Sequence, residues 1–481
     1  MIYGFVAIIL SLNLLFVITV IFFERKTPQA SMAWILLLTF VPIFGFFLYL
    51  LFGSGFRLWK RKRYVRKSKN DASYEYEILR RLEARNQHLF ASAKESRIRL
   101  LQYLENECDG CYTNDNHVEV FTGGEDFFSR LLNDIRTAEK HIHVLFYIIK
   151  NDCTGRELVD ALRERAKAGV EVRLIYDGVG SLFSFGSLFR ELKRAGGQVR
   201  AFSPVFGKIN SSLLINYRNH RKIVVIDGNI GYVGGMNVGD EYRNRHPRLV
   251  PWRDTHVRIT GSAVWFLQER FLLDWCHVTD YDLRQTEDLI RYFPEAIRQG
   301  HLGVQVASSG PDTDDNPIKG GLLRMFYGAR KTLYIQTPYI AVDQSILDAF
   351  KVAVKTGVDV RLMIPRLADH RLVHMSTLGY AQQILESGVR VFLYHGFLHA
   401  KTAVADGSVA TLGTTNLSNR SFTQNFEVNI FVHSDDFAQE QENLFLEDQA
   451  NCTELTEEWF RSCPLLSRFW YNAARLLSPL I

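Results

Sequence analysis

The spacing of apolar and polar positions divides the chain into an apolar front, a charged connector and a long body that repeats itself. Two apolar runs, Ile2 to Phe23 and roughly Ser31 to Phe52, each have about the 20 residues that a helix needs to cross a hydrocarbon core of roughly 30 Å. The first 56 residues hold three charges, Glu24, Arg25 and Lys26, which sit together between the runs. No basic stretch precedes the first run and no small-residue cleavage site follows it. This argues against a removed signal peptide and for a transmembrane helical hairpin kept in the protein, with a shallow re-entrant hairpin as the alternative. Farther on, Tyr74 to Glu107 carries Leu, Glu, Arg and Lys at helical spacing and reads as a helical connector.

From near Val118 the same sentence occurs twice. AKAGVEVRLIYDG (Ala166 to Gly178) and VKTGVDVRLMIPR (Val354 to Arg366) each read as a helix end, a glycine and a buried β-branched strand. HIHVLFYII (His141 to Ile149) matches TLYIQTPYI (Thr332 to Ile340) as an upstream strand. Downstream, RNHRKIVVIDGNIGYVGGMN and GFLHAKTAVADGSVATLGTTN predict strand pairs turning at Asp227-Gly228 and Asp406-Gly407. Strands alternating with helices and closing in a hairpin predict an α/β fold: two α/β/α sandwich halves, each with a mostly parallel mixed sheet, forming a pseudo-dimer. The expected division is a transmembrane hairpin over 1–56, a basic segment and connector over 57–117, a first repeat over 118–277, a linker over 278–300 and a second repeat over 301–481. The terminal RFWYNAARLLSPLI is amphipathic, and packs on the core or lies on a bilayer.

Charge orients this plan. Residues 57 to 69 contain Arg57, Lys60, Arg61, Lys62, Arg63, Arg66, Lys67 and Lys69 with no acid, which predicts a cytoplasmic flank beside anionic membrane lipid. Both termini and the whole body then face the cytoplasm of a multi-pass membrane protein. A net charge of +5 and the position of the basic run after an apolar segment argue against nucleic acid as partner. Six cysteines form no disulfide framework, which fits a reducing compartment, and Cys108 with Cys111 is a lone CxxC without the second pair a zinc site needs.

The chemistry lies in the two hairpins. The first holds His220, Lys222 and Asp227, then Gly234, Gly235 and Asn237; the second holds His399, Lys401 and Asp406, then Gly413, Thr414 and Asn416 at the same offsets. On a strand, residues i and i+2 share a face, so each histidine projects with its lysine. A cation beside an imidazole suits a phosphodiester better than a metal, because lysine can hold the non-bridging oxygens and asparagine can donate to the same group. Asp227 and Asp406 have the opposite parity and are read as mainly structural, capping the turn and pairing locally. His141, His143, His256 and His395 are read as structural residues.

The doubled motif resembles the phospholipase D superfamily from about residue 118 to the end. Within it, ASSGPD (Ala307 to Asp312), NHRKIVVIDG, GGMNVGDEY, WRDTHVRITG and NRSFTQNFEVN, with the apolar front, look like the cardiolipin synthases. The resemblance implies transfer of a phosphatidyl group from one phosphatidylglycerol to another through a phosphohistidine, without cofactor or metal. It makes His220, Lys222, Asp227, His399, Lys401 and Asp406 the catalytic set, with Asn237 and Asn416 toward the phosphate. Asp254 and Glu427 are implied as the carboxylates that orient the imidazoles. His220 is expected as nucleophile and His399 as acid and base, although the pseudo-symmetry leaves the two roles nearly interchangeable. Ser418 departs from the family pattern, which has Asp there.

Overall fold

A computed structural model describes residues 2–22, 28–52, 95–107, 111–182, 187–203, 217–279, 281, 289–295, 300–313 and 315–477. The basic run 57–69, Cys108, the first part of the connector and most of the linker 278–300 lie outside the described residues.

The apolar front differs from the expected hairpin of two helices. Helix α1 (Ile2–Phe22) is continuous, but the second run is two helices, α2 (Pro28–Phe40) and α3 (Pro42–Phe52). The break falls at Pro42, which has no N–H to continue the helical ladder. Among the described residues no helix is long and apolar enough to cross a membrane. The connector is helical over Glu95–Glu107, and its Leu100 and Leu104 are buried in the core of the second half.

The first half contains β1 (Thr113–Phe121), β2 (His141–Phe146), β3 (Glu171–Asp177), β4 (Gln198–Phe202), β5 (Arg218–Asn219), β6 (Ile223–Ile226), β7 (Ile230–Gly234), β8 (Trp252–Arg253) and β9 (His256–Thr260). The second begins with β10 (Leu302–Ser309), β11 (Thr332–Gln336), β12 (Ile340–Ala341), β13 (Asp359–Pro365) and β14 (Arg390–Tyr394). It continues with β15 (Phe397–Leu398), β16 (Thr402–Ala405), β17 (Val409–Gly413), β18 (Leu417–Ser418), β19 (Asn425–His433) and β20 (Cys452–Leu455). Helices fill the crossovers between parallel neighbours, as at β2–β3 and β11–β13, while β6–β7 and β16–β17 are the antiparallel hairpins. A single sheet runs β20-β14-β13-β11-β16-β17-β19-β10-β1-β9-β7-β6-β2-β3-β4, so the halves meet edge to edge through antiparallel β1 and β10.

Apolar residues cover both faces of this sheet. The helix Gly124–Thr137 buries Phe127, Phe128, Leu131 and Ile135 at helical spacing against the first half. The helix Val264–Val278 is buried nearly all round, because it lies on a core drawn from both halves. Behind it, Arg221 and Asp274 form a fully buried pair with contacts of 2.8 and 3.0 Å. Arg221 Nε also donates to the backbone oxygen of Glu427 at 3.1 Å, tying the halves together. Asp274→Asn leaves that guanidinium buried without its counter-charge, and is expected to cost about 3–5 kcal/mol, read as a lowered thermal midpoint.

Both motif aspartates hold backbone, with longer reach than the expected local pairing. Asp227, at φ 53°, accepts from the backbone N–H groups of Glu139, Lys140 and His141 at 2.7–2.9 Å. Asp406, at φ 54°, does the same for Arg330, Lys331 and Thr332 at 2.7–3.0 Å. Each fixes its hairpin turn to the start of β2 or β11, at the far end of the strand from the motif histidine. Their partners are not local, and neither aspartate lines the cavity described below.

Candidate active site

Two very short strands do most to build the site. β5 pairs in parallel with the start of β19, and β8 with β15, so each motif histidine follows a strand docked on the other half. The backbone N–H of His220 donates to Phe426 O at 2.9 Å, and that of His399 donates to Arg253 O at 2.7 Å. The residue after each acceptor is the orienting carboxylate. Glu427 lies 2.9 Å from His220 Nδ1, and Asp254 lies 2.6 Å from His399 Nδ1. The exchange is reciprocal, with each half lending its carboxylate to the other half's imidazole.

Glycines make room for this approach. A Cβ on Gly235 would lie 2.1 Å from Asp254 Oδ1, and one on Gly413 would lie 2.3 Å from Asn429 Oδ1. Both carboxylates are buried and held: Thr414 Oγ1 donates to Glu427 Oε2 at 2.5 Å, and the backbone N–H of Thr255 donates to Asp254 Oδ1 at 2.7 Å. Their burial favours the neutral acid, but the neighbouring histidine and lysine outweigh it and keep both carboxyls below the ordinary range. With Nδ1–H donated to a carboxylate, each imidazole carries its lone pair on Nε2.

The lysines stand close behind. Lys222 Nζ donates to the backbone oxygen of His220 at 2.6 Å, and Lys401 Nζ donates to that of His399. Burial pushes Lys222 down to about 7 and Lys401 to about 8. Burial, opposed in part by Glu427, also lowers His220 to about 4, and His399 moves the same way for burial and the nearby Lys401. By themselves these groups amount to two neutral imidazoles, two carboxylates and two ammonium groups that titrate near neutrality. An anion placed between the imidazoles raises the affinity of each for a proton.

His220 and His399 open on one shared cavity of about 440 Å³, which Asn237 and Asn416 also line. Asn416 Oδ1 has no hydrogen-bond partner among the described residues, whereas Asn237 is partly committed. Its Nδ2 donates to Tyr242 Oη at 2.7 Å and its Oδ1 accepts from Ile148 N at 3.1 Å. Asn237 therefore positions the wall as much as it faces a ligand. Ser418 also lines the cavity and caps the helix Asn419–Thr423 by accepting from Ser421 N at 3.3 Å, a task open to Asp or Ser alike.

The sequence reading missed the aromatic wall of Tyr147, Tyr242, Trp252 and Tyr339. Tyr147 lies edge-on to His220 at 5.1 Å, and Tyr242 lies 5.8 Å from His399. Tyr242 and Trp252 fall within GGMNVGDEY and WRDTHVRITG, so the signal was present but carried no assigned role. His141 and His143 are buried against Gln268, away from this cavity.

Comparison with known proteins places these features. A model described as "Cardiolipin synthase, PLD-like domain" matches residues 131–246 and 322–449, and one described as "Phospholipase_D-nuclease N-terminal" matches 11–54. A cardiolipin synthase of Listeria innocua is 42% identical over 487 residues, covering 98% of each chain. The major cardiolipin synthase ClsA of Bacillus subtilis is 41% identical over 475 residues, covering 98% of this chain and 97% of its own. Among solved structures, a phosphatidylserine synthase of Haemophilus influenzae superposes with a TM-score of 0.60 at 16% identity, over 81% of this chain and 100% of that one. This last likeness bears on the fold alone.

Proposed function

This chain belongs to the cardiolipin synthase family of phospholipase D-like proteins, and from that premise we propose that it joins two phosphatidylglycerols into cardiolipin with release of glycerol. The observation that carries the reading is the reciprocal pair of carboxylate-bound histidines opening on one cavity. His220 Nε2 attacks phosphorus, and the bond to the headgroup glycerol breaks as His399 gives that oxygen a proton. The headgroup hydroxyl of a second phosphatidylglycerol then loses its proton to His399 and displaces His220. Lys222 and Lys401 hold the non-bridging oxygens, whose charge grows at each crossing. One phosphodiester replaces another, so the reaction requires no external energy source.

Water competes with the second lipid, and the aromatic wall disfavours it. Purified chain given phosphatidylglycerol in detergent is expected to yield cardiolipin and glycerol in equal amounts. Phosphatidic acid with glycerol would make it a hydrolase.

Titration of Lys222 near 7 and Lys401 near 8 gives a pH dependence. Each ammonium is present below its value and lost above it, so kcat/KM is expected to fall as pH rises through about 7 to 8. Bound phosphate holds the protons on, so kcat falls later than kcat/KM. A kcat/KM profile flat from pH 6 to 9 would exclude the lysines as phosphate holders.

The apolar front supports a further part of the reading. α1 has no charged residue over 21 positions and exposes Tyr3, Ile8, Leu14, Leu15 and Phe22. This segment anchors the chain in the bacterial cell membrane, with the catalytic part on the cytoplasmic side, where lipid can enter the cavity without crossing water. At the other end, the helix Leu465–Leu477 packs on Arg371–Leu385, yet leaves Leu465, Leu466, Phe469, Trp470 and Leu476 exposed. It packs on the core, the first of the two alternatives read from its amphipathic pattern, and its exposed apolar face supports a contact with the bilayer as well.

A further inference from the structure

Resting on the reading of the front as a membrane anchor, we propose that α2 and α3 form a re-entrant arm. The end of α1 at Phe22, the start of α2 at Pro28 and the end of α3 at Phe52 then face the same side of the membrane. The arm is folded, not straight. The rings of Trp34 and Tyr49 meet edge-on at 5.3 Å, whereas a straight helix would hold residues so spaced roughly 22 Å apart. Gly45 permits the fold, because a Cβ there would come within 2.6 Å of Leu37 O. With 13 and 11 residues, the two limbs reach only about 20 and 17 Å, less than a hydrocarbon core.

The bend is also chemically provided for. Pro42 offers no N–H, which orphans the carbonyl of Leu38 four residues back. Asn13, buried at the middle of α1, donates Nδ2 to Leu38 O at 3.1 Å and to Pro42 O at 2.9 Å. Where no water can reach, a bent backbone persists only if such groups are paired by protein. The height of the bend follows from the same contacts. Asn13 meets it, while Phe16 packs on Tyr49 at 4.6 Å, and Val20 is buried with Trp34 and Tyr49. Both limbs therefore lie along the C-terminal half of α1, and their free ends, Pro28 and Phe52, point the way α1 leaves. The chain thus enters α2 and leaves α3 on the side where α1 ends, and the positive-inside rule, applied to the sequence of Arg25, Lys26 and the basic run 57–69, makes that side cytoplasmic. Two full spans would put that entry and that exit on opposite sides.

Thiol accessibility tests this in the full-length chain. Thr27→Cys and Ser54→Cys are made singly and exposed to a membrane-impermeant, mass-tagged maleimide, in intact cells and in inside-out vesicles. The six native cysteines all follow residue 107 and report the side of the catalytic part. Each variant is expected to gain one tag over the native pattern in inside-out vesicles and none in intact cells. A gain at one position in intact cells, with the other protected, would establish two spans and overturn the proposal. Recovery of the chain in the soluble fraction after an alkaline carbonate wash would instead overturn the anchor itself, a distinct result.

Discussion

His220→Ala is expected to lower cardiolipin formation by on the order of 10⁴- to 10⁶-fold, the scale seen when a covalent nucleophile is removed from an intact site. His399→Ala is expected to fall as far with phosphatidylglycerol, but for a different reason, and the choice of donor separates them. A phosphatidyl ester of nitrophenol has a leaving group that needs no proton. With it, His399→Ala still forms the His220 adduct and releases a burst of about one nitrophenol per chain, then stalls for want of a base. His220→Ala gives no burst. Reversal of this pattern would exchange the two roles, which pseudo-symmetry permits, and loss of the burst in both would remove the adduct from the mechanism.

Glu427→Gln is the second large effect, with kcat expected to fall by roughly 10²- to 10⁴-fold and KM to change little. Glutamine keeps the shape and the contact with Thr414, but its amide can donate to His220 Nδ1. The proton then sits on Nε2, and the lone pair that should meet phosphorus faces the wrong way. Asp254→Asn acts alike on His399. Steady-state rates at saturating lipid, together with an unchanged thermal midpoint, check the assignment. A drop in stability matching the drop in rate would make Glu427 a structural residue.

Much of this was legible because the motif is written twice. The apolar runs that follow His220 and His399 predict strands, and Asp-Gly marks both hairpin turns. Each lysine, two residues from its histidine, could be placed beside it without coordinates. The docking strands could not be read. β5, β8 and β15 are two residues long, too short to leave a periodic trace, and their partners lie far away in sequence. For the same reason the edge-to-edge joint of β1 and β10 has no signature within either repeat.

Two departures from the sequence pattern share a cause, which is that apolarity and parity are local measures. The run Ser31 to Phe52 counts as one span by hydropathy, yet Pro42 breaks its ladder and Gly45 lets the limbs close. Turn position predicts nearby partners for Asp227 and Asp406, because a turn aspartate commonly caps its own loop. Here each carboxylate instead gathers three successive N–H groups at the start of a neighbouring strand.

One phosphorus atom is attacked twice, once by an imidazole from one half of the chain and once by a hydroxyl activated from the other. Phosphatidylglycerol made stereogenic at phosphorus with oxygen isotopes and sulfur reads this out in the cardiolipin it becomes. Two in-line displacements predict retention of configuration, and inversion would mean that the second lipid attacks directly, with no phosphohistidine between.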